Sequence, residues 1–187
     1  RVGCMKILVV SMLRLGDLIM LAPLFKALKQ DNPDAEVHLL TNRLNSKLQN
    51  TIIDIDRWHF FERDLIQKSM GEMEHSVFEA MDRVDDLVLR LNHQKFNKVI
   101  NLTQTKISAH ISGLVESEEY VGMISSENGP MSLSSSWFKY LNNVIAGEGD
   151  DVFHFVDIFK FALNLKLDRE YKLVSKNRDI FSEHTNR

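Results

Sequence analysis

The chain has 187 residues, 44% of them apolar and 26% charged, with a formal net charge of −3. That length suits one domain, and the apolar share is enough to build a buried core, so general disorder is excluded. A net negative chain has no sequence-wide basic surface for nucleic acid, which is therefore not expected as a partner.

The first strongly patterned segment, Lys6 to Ser11, is aliphatic and β-branched, as expected for a strand buried on both faces. The spacing of Leu18, Leu21, Ala22, Phe25 and Leu28 predicts a helix opened by Asp17, with Pro23 deep enough to disturb its first turns. Asp31-Asn-Pro-Asp34 stops that helix, and Ala35 to Thr41 reads as a second strand. A short helix over Arg43 to Asn50 and a third strand over Asp56 to Glu62 follow. A long helix comes next, with Met73, Val77, Met81, Val84, Val88 and Leu91 on one stripe. Asn97 to Leu102 predicts a fourth strand, Lys106 to Val115 a helix, and Glu119 to Met123 a fifth strand. Ser125 to Asp150, rich in Ser, Asn and Gly, reads as a loop. Val152, Phe155, Val156, Phe159 and Leu163 mark a last amphipathic helix, begun by His154. Residues 1–167 are thus one α/β domain, and 168–187 read as a linker or tail. Strands alternating with helices imply a Rossmann-like open parallel sheet with helices on both faces.

Ile7 to Phe25 is the most apolar stretch, but Arg14 and Asp17 interrupt it, so it does not predict a spanning helix. No small-residue cleavage site follows it, as a secretory signal would require. The lone cysteine, Cys4, can form no internal disulfide and suits a reducing compartment. The expected location is cytoplasmic, with peripheral membrane contact left open.

Ligands of such sheets bind at the carboxyl ends of the strands. The loop Ser11-Met-Leu-Arg-Leu-Gly16-Asp17 occupies that position. Gly16 there would permit a tight turn or a close approach to a ligand. Asp17 has two readings: an N-cap that accepts backbone N–H bonds, or a general base. No G-x-G-x-x-G, Walker lysine motif or G-x-S-x-G elbow is present, which leaves a nucleotide-cofactor enzyme as a distant reading. Glu72 and His75 have the spacing of half a di-metal site, but no second pair accompanies them, so no metal is expected. Arg14, Arg43 and Lys106 flank strand ends and could meet an anion. Phe153, Phe155, Phe159 and Phe161 read as core.

The run Met5-Lys-Ile-Leu-Val-Val-Ser-Met-Leu-Arg-Leu-Gly-Asp-Leu-Ile-Met-Leu-Ala-Pro23 and the following Asn32-Pro-Asp-Ala-Glu-Val resemble the N-terminal half of family 9 glycosyltransferases, the heptosyltransferases of lipopolysaccharide assembly and their relatives. Phe96-Asn-Lys-Val-Ile-Asn-Leu-Thr-Gln-Thr-Lys-Ile-Ser108, Tyr120-Val-Gly-Met and His154-Phe-Val-Asp-Ile-Phe extend the match, so that it runs from Lys6 to about Leu167. The resemblance implies one lobe of a two-lobed GT-B enzyme, binding a lipid-linked oligosaccharide acceptor. The nucleotide-sugar donor would bind a second lobe, without a metal or other cofactor. It further implies that Asp17 is the general base of an inverting transfer, with acceptor contacts from Ser11, Arg14, Gly16, Met20, Thr103, Gln104 and Lys106. Met20 stands where heptosyltransferases often carry His, Ser11 where a basic residue is frequent, and Asn101 where many have Asp. The chain is expected to lack the donor lobe and so to be inactive alone. A non-catalytic module that binds a glycolipid or a protein partner is the alternative, and an exposed apolar patch near the last helix would favour it.

Overall fold

A computed structural model describes residues 4–62, 77–126, 130–150, 152–167 and 173. Five strands run parallel: β1 (Lys6–Val10), β2 (Glu36–Asn42), β3 (Arg57–Phe61), β4 (Phe96–Asn101) and β5 (Ser117–Ser125). A sixth, β6 (Met131–Leu133), lies antiparallel to β5. Their order in the sheet is β3-β2-β1-β4-β5-β6. β1 is central, with Ile7 opposite Val37 on one side and Lys98 on the other. Alternate residues of β1 enter different cores, as the two-residue period of a strand requires. Ile7 and Val9 pack with one cluster, and Leu8 and Val10 with another, so each sheet face is covered. The α/β architecture expected from the alternating pattern is the one found.

The helices are α1 (Leu15–Met20), α2 (Ala22–Asp31), α3 (Val77–Asn92), α4 (Lys106–Leu114), α5 (Ser136–Ala146) and α6 (Phe155–Ala162). A 3-10 helix, Arg43–Leu48, follows β2. The single helix predicted after β1 is two, divided at Leu21, and the division places Pro23 in the first turn of α2, where its missing N–H breaks no helical bond. On α3 the inward stripe is Ala80, Leu87 and Leu91, with Val84 packed beside it, whereas Met81 is exposed; Met73 lies outside the described residues. The predicted stripe was drawn from hydrophobicity, but the small Ala80 is what fits against the sheet.

Among its described residues, the segment expected as a loop holds a strand and a helix, β6 and α5, and Ser135 and Gly147 are the punctuation of the helix. Ser135 caps α5 by accepting from the Phe138 N–H at 3.4 Å. Gly147 ends it in the left-handed region (φ 77°), with its N–H on Val144 O and the Glu148 N–H on Asn143 O. Between those caps Phe138 and Leu141 are buried. His154 caps α6, its Nδ1 accepting from the Val156 N–H. Of the four phenylalanines expected in the core, Phe159 is fully buried and Phe155 packs against it. Phe153 and Phe161 are each 39% exposed and form an aromatic surface with Trp137. Among the described residues no helix is long and apolar enough to cross a membrane.

At the amino end of the sheet, two histidines lie edge to edge across β2 and β3. His38 Nδ1 is 2.9 Å from His59 Nε2, and His38 Nε2 faces Glu36 Oε1 at 3.2 Å, a charge contact poorly aligned as a hydrogen bond. With both rings neutral, one N–H is shared between His38 Nδ1 and His59 Nε2. Burial holds His38 below the ordinary histidine range, against the opposing pull of Glu36. Burial first, then the charge of His38 and Arg57, lowers His59 to about 4. Both rings therefore stay neutral in the fold, while an unfolded histidine titrates near 6.5. The resulting stability is complete above pH 6.5 and is lost as pH falls from about 6.5 to about 4. Denaturant titrations across that range should show a loss of about 2–3 kcal/mol, and His59→Gln should remove most of the slope; a flat profile for the parent would refute the neutral pair.

Candidate active site

In the strand order found, the chain leaves β1 toward β2 and leaves β4 toward β5, in opposite directions across the sheet. Loops that diverge in this way open a crevice at the carboxyl ends of the two strands. The segments after β1 and β4 meet there, and these hold the expected base and acceptor contacts, whereas Arg43 follows β2. Backbone bonds first continue the sheet: Ser11 N–H donates to Leu40 O and Leu102 N–H to Val10 O, both at 2.9 Å. Side chains then lash the loops together. Met12 N–H donates to Thr103 Oγ1 at 2.8 Å, joining the β1 and β4 loops directly. Asn42 and Asn45 donate their amides to Met12 O (2.9 Å) and Leu13 O (3.1 Å), fastening the β1 loop from the β2 side.

The β4 side is organised by Asn101, which is buried. Its Oδ1 accepts from Thr103 N–H at 2.9 Å, and its Nδ2 donates to Met123 O at 2.7 Å and to Ser108 Oγ at 3.2 Å. Ser108 and Thr105 form a reciprocal cap at the start of α4. β5 presses close at this point. A Cβ on Gly122, whose φ is 102°, would lie 2.0 Å from Asn101 O, so only glycine fits. Gln104 Nε2 donates to Phe138 O at 3.0 Å and ties the loop to α5.

Asp17 stands in the first turn of α1, half-buried, and its carboxylate has no hydrogen-bond or ion-pair partner among the described residues. It is not the helix cap. The helix starts two residues earlier, at Leu15, and the cap position belongs to Arg14, whose side chain makes no capping bond. The carboxylate is thus left free to accept, in the first turn of the helix that follows β1. Gly16 is exposed within α1, and a Cβ there would meet nothing within 4 Å, so neither a turn nor close packing demands glycine at 16. Arg14, Lys106 and Met20 are exposed and Gln104 is half-buried. Ser11 and Thr103 are buried and form the floor beneath the loops. Arg43 sets its guanidinium over the Phe60 ring, 5.2 Å from the centroid.

The asparagines at 42 and 45 were not singled out from sequence. A polar pair closing a buried strand is their trace there, but which carbonyls they reach is a matter of tertiary distance. A cavity of about 220 Å³ lies elsewhere, between the end of β3 and α3, with Arg83, Arg90, Glu62 and Asp86 in its lining. Glu72 and His75 lie outside the described residues, and among the described residues no three His, Cys, Asp or Glu cluster as metal ligands would.

Because Asn101 satisfies three groups at once, Asn101→Ala should cost about 2–3 kcal/mol by leaving buried partners unpaired. Urea unfolding would measure this, and a change below about 0.5 kcal/mol, the usual size for a surface substitution, would remove Asn101 from its organising place.

No family model matches the sequence, and no curated protein matches it. Solved structures do. The crystal structure of a glycosyl transferase family 9 protein from Veillonella parvula DSM 2008 is 14% identical, with a TM-score of 0.53 over 82% of this chain and 44% of that one. The E. coli heptosyltransferase WaaC with ADP-2-deoxy-2-fluoro heptose is 12% identical, with a TM-score of 0.62 over 89% of this chain and 51% of that one. The same enzyme with ADP gives 12%, 0.59, 88% and 49%. The chain spans about half the length of the structures it matches. The fold that the sequence resemblance implied is therefore the fold found, an α/β domain shared with these glycosyltransferases.

Proposed function

We propose that this chain is the acceptor-side lobe of an inverting glycosyltransferase of the family 9, heptosyltransferase type, acting in lipopolysaccharide assembly. The observation that carries the reading is the Asp17 carboxylate, without a partner among the described residues, in the first turn of the helix that follows β1, in a fold shared with a transferase solved with an ADP-heptose analogue. In this reading the Asp17 carboxylate takes the proton of an acceptor sugar hydroxyl. The freed oxygen attacks the anomeric carbon, and the bond from that carbon to the nucleoside diphosphate breaks on the opposite side, inverting the centre. In this reading Arg14, Gly16, Met20, Gln104 and Lys106 contact the acceptor, with Ser11 and Thr103 beneath. The nucleotide-sugar belongs to a second, donor-binding lobe.

A second reading, a non-catalytic module that recruits a partner, draws on the exposed aromatic surface of Phe153, Phe161 and Trp137 beside α6. Turnover separates the two. In an enzyme carrying both lobes, Asp17→Asn should lower kcat by about 10²–10⁴-fold with KM little changed, the range for loss of a general base. Its melting temperature should stay near the parent's, because the carboxylate holds nothing in the fold. Turnover within a few-fold of the parent would dismiss Asp17 as the base.

A further inference from the structure

The 3-10 helix after β2 buries a polar residue and exposes an apolar one. Asn45 is 2% exposed, and its neighbour Leu44 is 71% exposed. An amide buried in place of a leucine is unfavourable unless it is bonded. Asn45 Nδ2 makes two such bonds, to Thr41 Oγ1 at 2.8 Å within its own stretch of chain, and to Leu13 O at 3.1 Å, 32 residues away. The first sets the rotation of the 3-10 helix and turns Leu44 outward. The second crosses to the loop after β1 and engages the carbonyl just before Arg14, the cap position of α1.

That crossing matters because the start of α1 is intrinsically weak. The helix has six residues, a length that propensity alone does not sustain, and Arg14 supplies no capping bond. Gly16, which no packing demands, adds backbone freedom inside the first turn. Arg14, Leu15 and Gly16 are all exposed, and Leu18 is the first side chain of the helix to be fully buried. The helical bonds around Asp17 run from Leu18 N–H to Arg14 O (3.0 Å) and from Leu21 N–H to Asp17 O (3.1 Å), so they depend on how the Arg14 peptide is presented. Thr103 Oγ1 and Asn42 hold Met12, and Asn45 holds Leu13, the bond nearest to the helix.

We infer that Asn45 is a positioning residue for the Asp17 carboxylate. Its bond to Leu13 O fixes the peptide from which the first turn of α1 springs, and thereby the place of a base that it does not touch. The inference rests on the transfer proposed above, in which Asp17 takes the proton. It adds that the loop after β2 takes part in that step from a distance.

The test uses an enzyme carrying both lobes, assayed at a temperature where circular dichroism melts show each variant folded. Asn45→Ala should lower kcat about 10²-fold, the cost of a reacting group misplaced by about 1 Å, with KM little changed. In an Asp17→Asn background the same substitution should cost almost nothing more, because groups that act as a unit are not additive. Asn45→Ser, which keeps a donor of shorter reach, should fall between the parent and Asn45→Ala, and it replaces the alanine variant should that one not fold. Leu44→Ser, on the same 3-10 helix, should leave turnover unchanged. In the present chain, hydrogen exchange of the Leu18 and Leu21 amides should speed up in Asn45→Ala while the β1 amides stay protected. A slow Asp17→Asn enzyme beside an Asn45→Ala enzyme of near-parental kcat would overturn the inference. So would losses that multiply in the double variant, or unchanged exchange at Leu18. Near-parental turnover of Asp17→Asn would instead bring down the transfer reading, and the positioning role with it.

Discussion

The geometry of the crevice rests on a small set of hydrogen bonds in which side chains take the place of a ladder that has run out. β1 and β4 are paired along their lengths, but at their carboxyl ends the backbones part, and the polar groups of the loops lose their regular partners. Thr103 Oγ1, Asn42 and Asn45 receive or supply those bonds. A buried backbone group without a partner is costly, so these lashings constrain the loop after β1 to one course. Asp17 follows that course directly. Its position is inherited from groups that make no contact with it.

The same lashings explain why the domain has two different ends. Below the crevice, cations and carboxylates at the strand starts neutralise one another, and the neutral His38–His59 pair sits among them. Above it, the loops spend their polar side chains on backbone carbonyls. An asparagine drawn inward to hold a loop forces its neighbouring leucine outward. Structural need and surface chemistry are thereby coupled through one short 3-10 helix.

Both readings of function draw on this polarity. A carboxylate held without a partner in the first turn of α1 would suit the removal of a proton in the proposed transfer. The aromatic surface near α6 is a separate feature, on the side of the molecule where α5 and α6 cover the sheet.

Much of the fold was legible in the residues alone. The strands β1 to β5 fall within two residues of the predicted spans, because runs such as Ile7-Leu-Val-Val10 can be buried on both sides only in a parallel sheet. The segment 125–150 was misjudged because Ser and Gly have the same composition in a cap as in a loop, and only the buried Phe138 and Leu141 between them show which it is. The helix opening at Leu15 rather than Asp17 is a difference of two residues that removes Asp17 from the cap, a distinction that spacing does not contain. By itself, then, the sequence determined the elements, their α/β order and the two loops where chemistry would gather, since hydrophobic period and strand–helix alternation are local properties. Tertiary structure alone decided which side chains close the crevice, which carboxylate is left unpaired and which leucine is turned to solvent, since those depend on distances between residues as far apart in the chain as Met12 and Thr103.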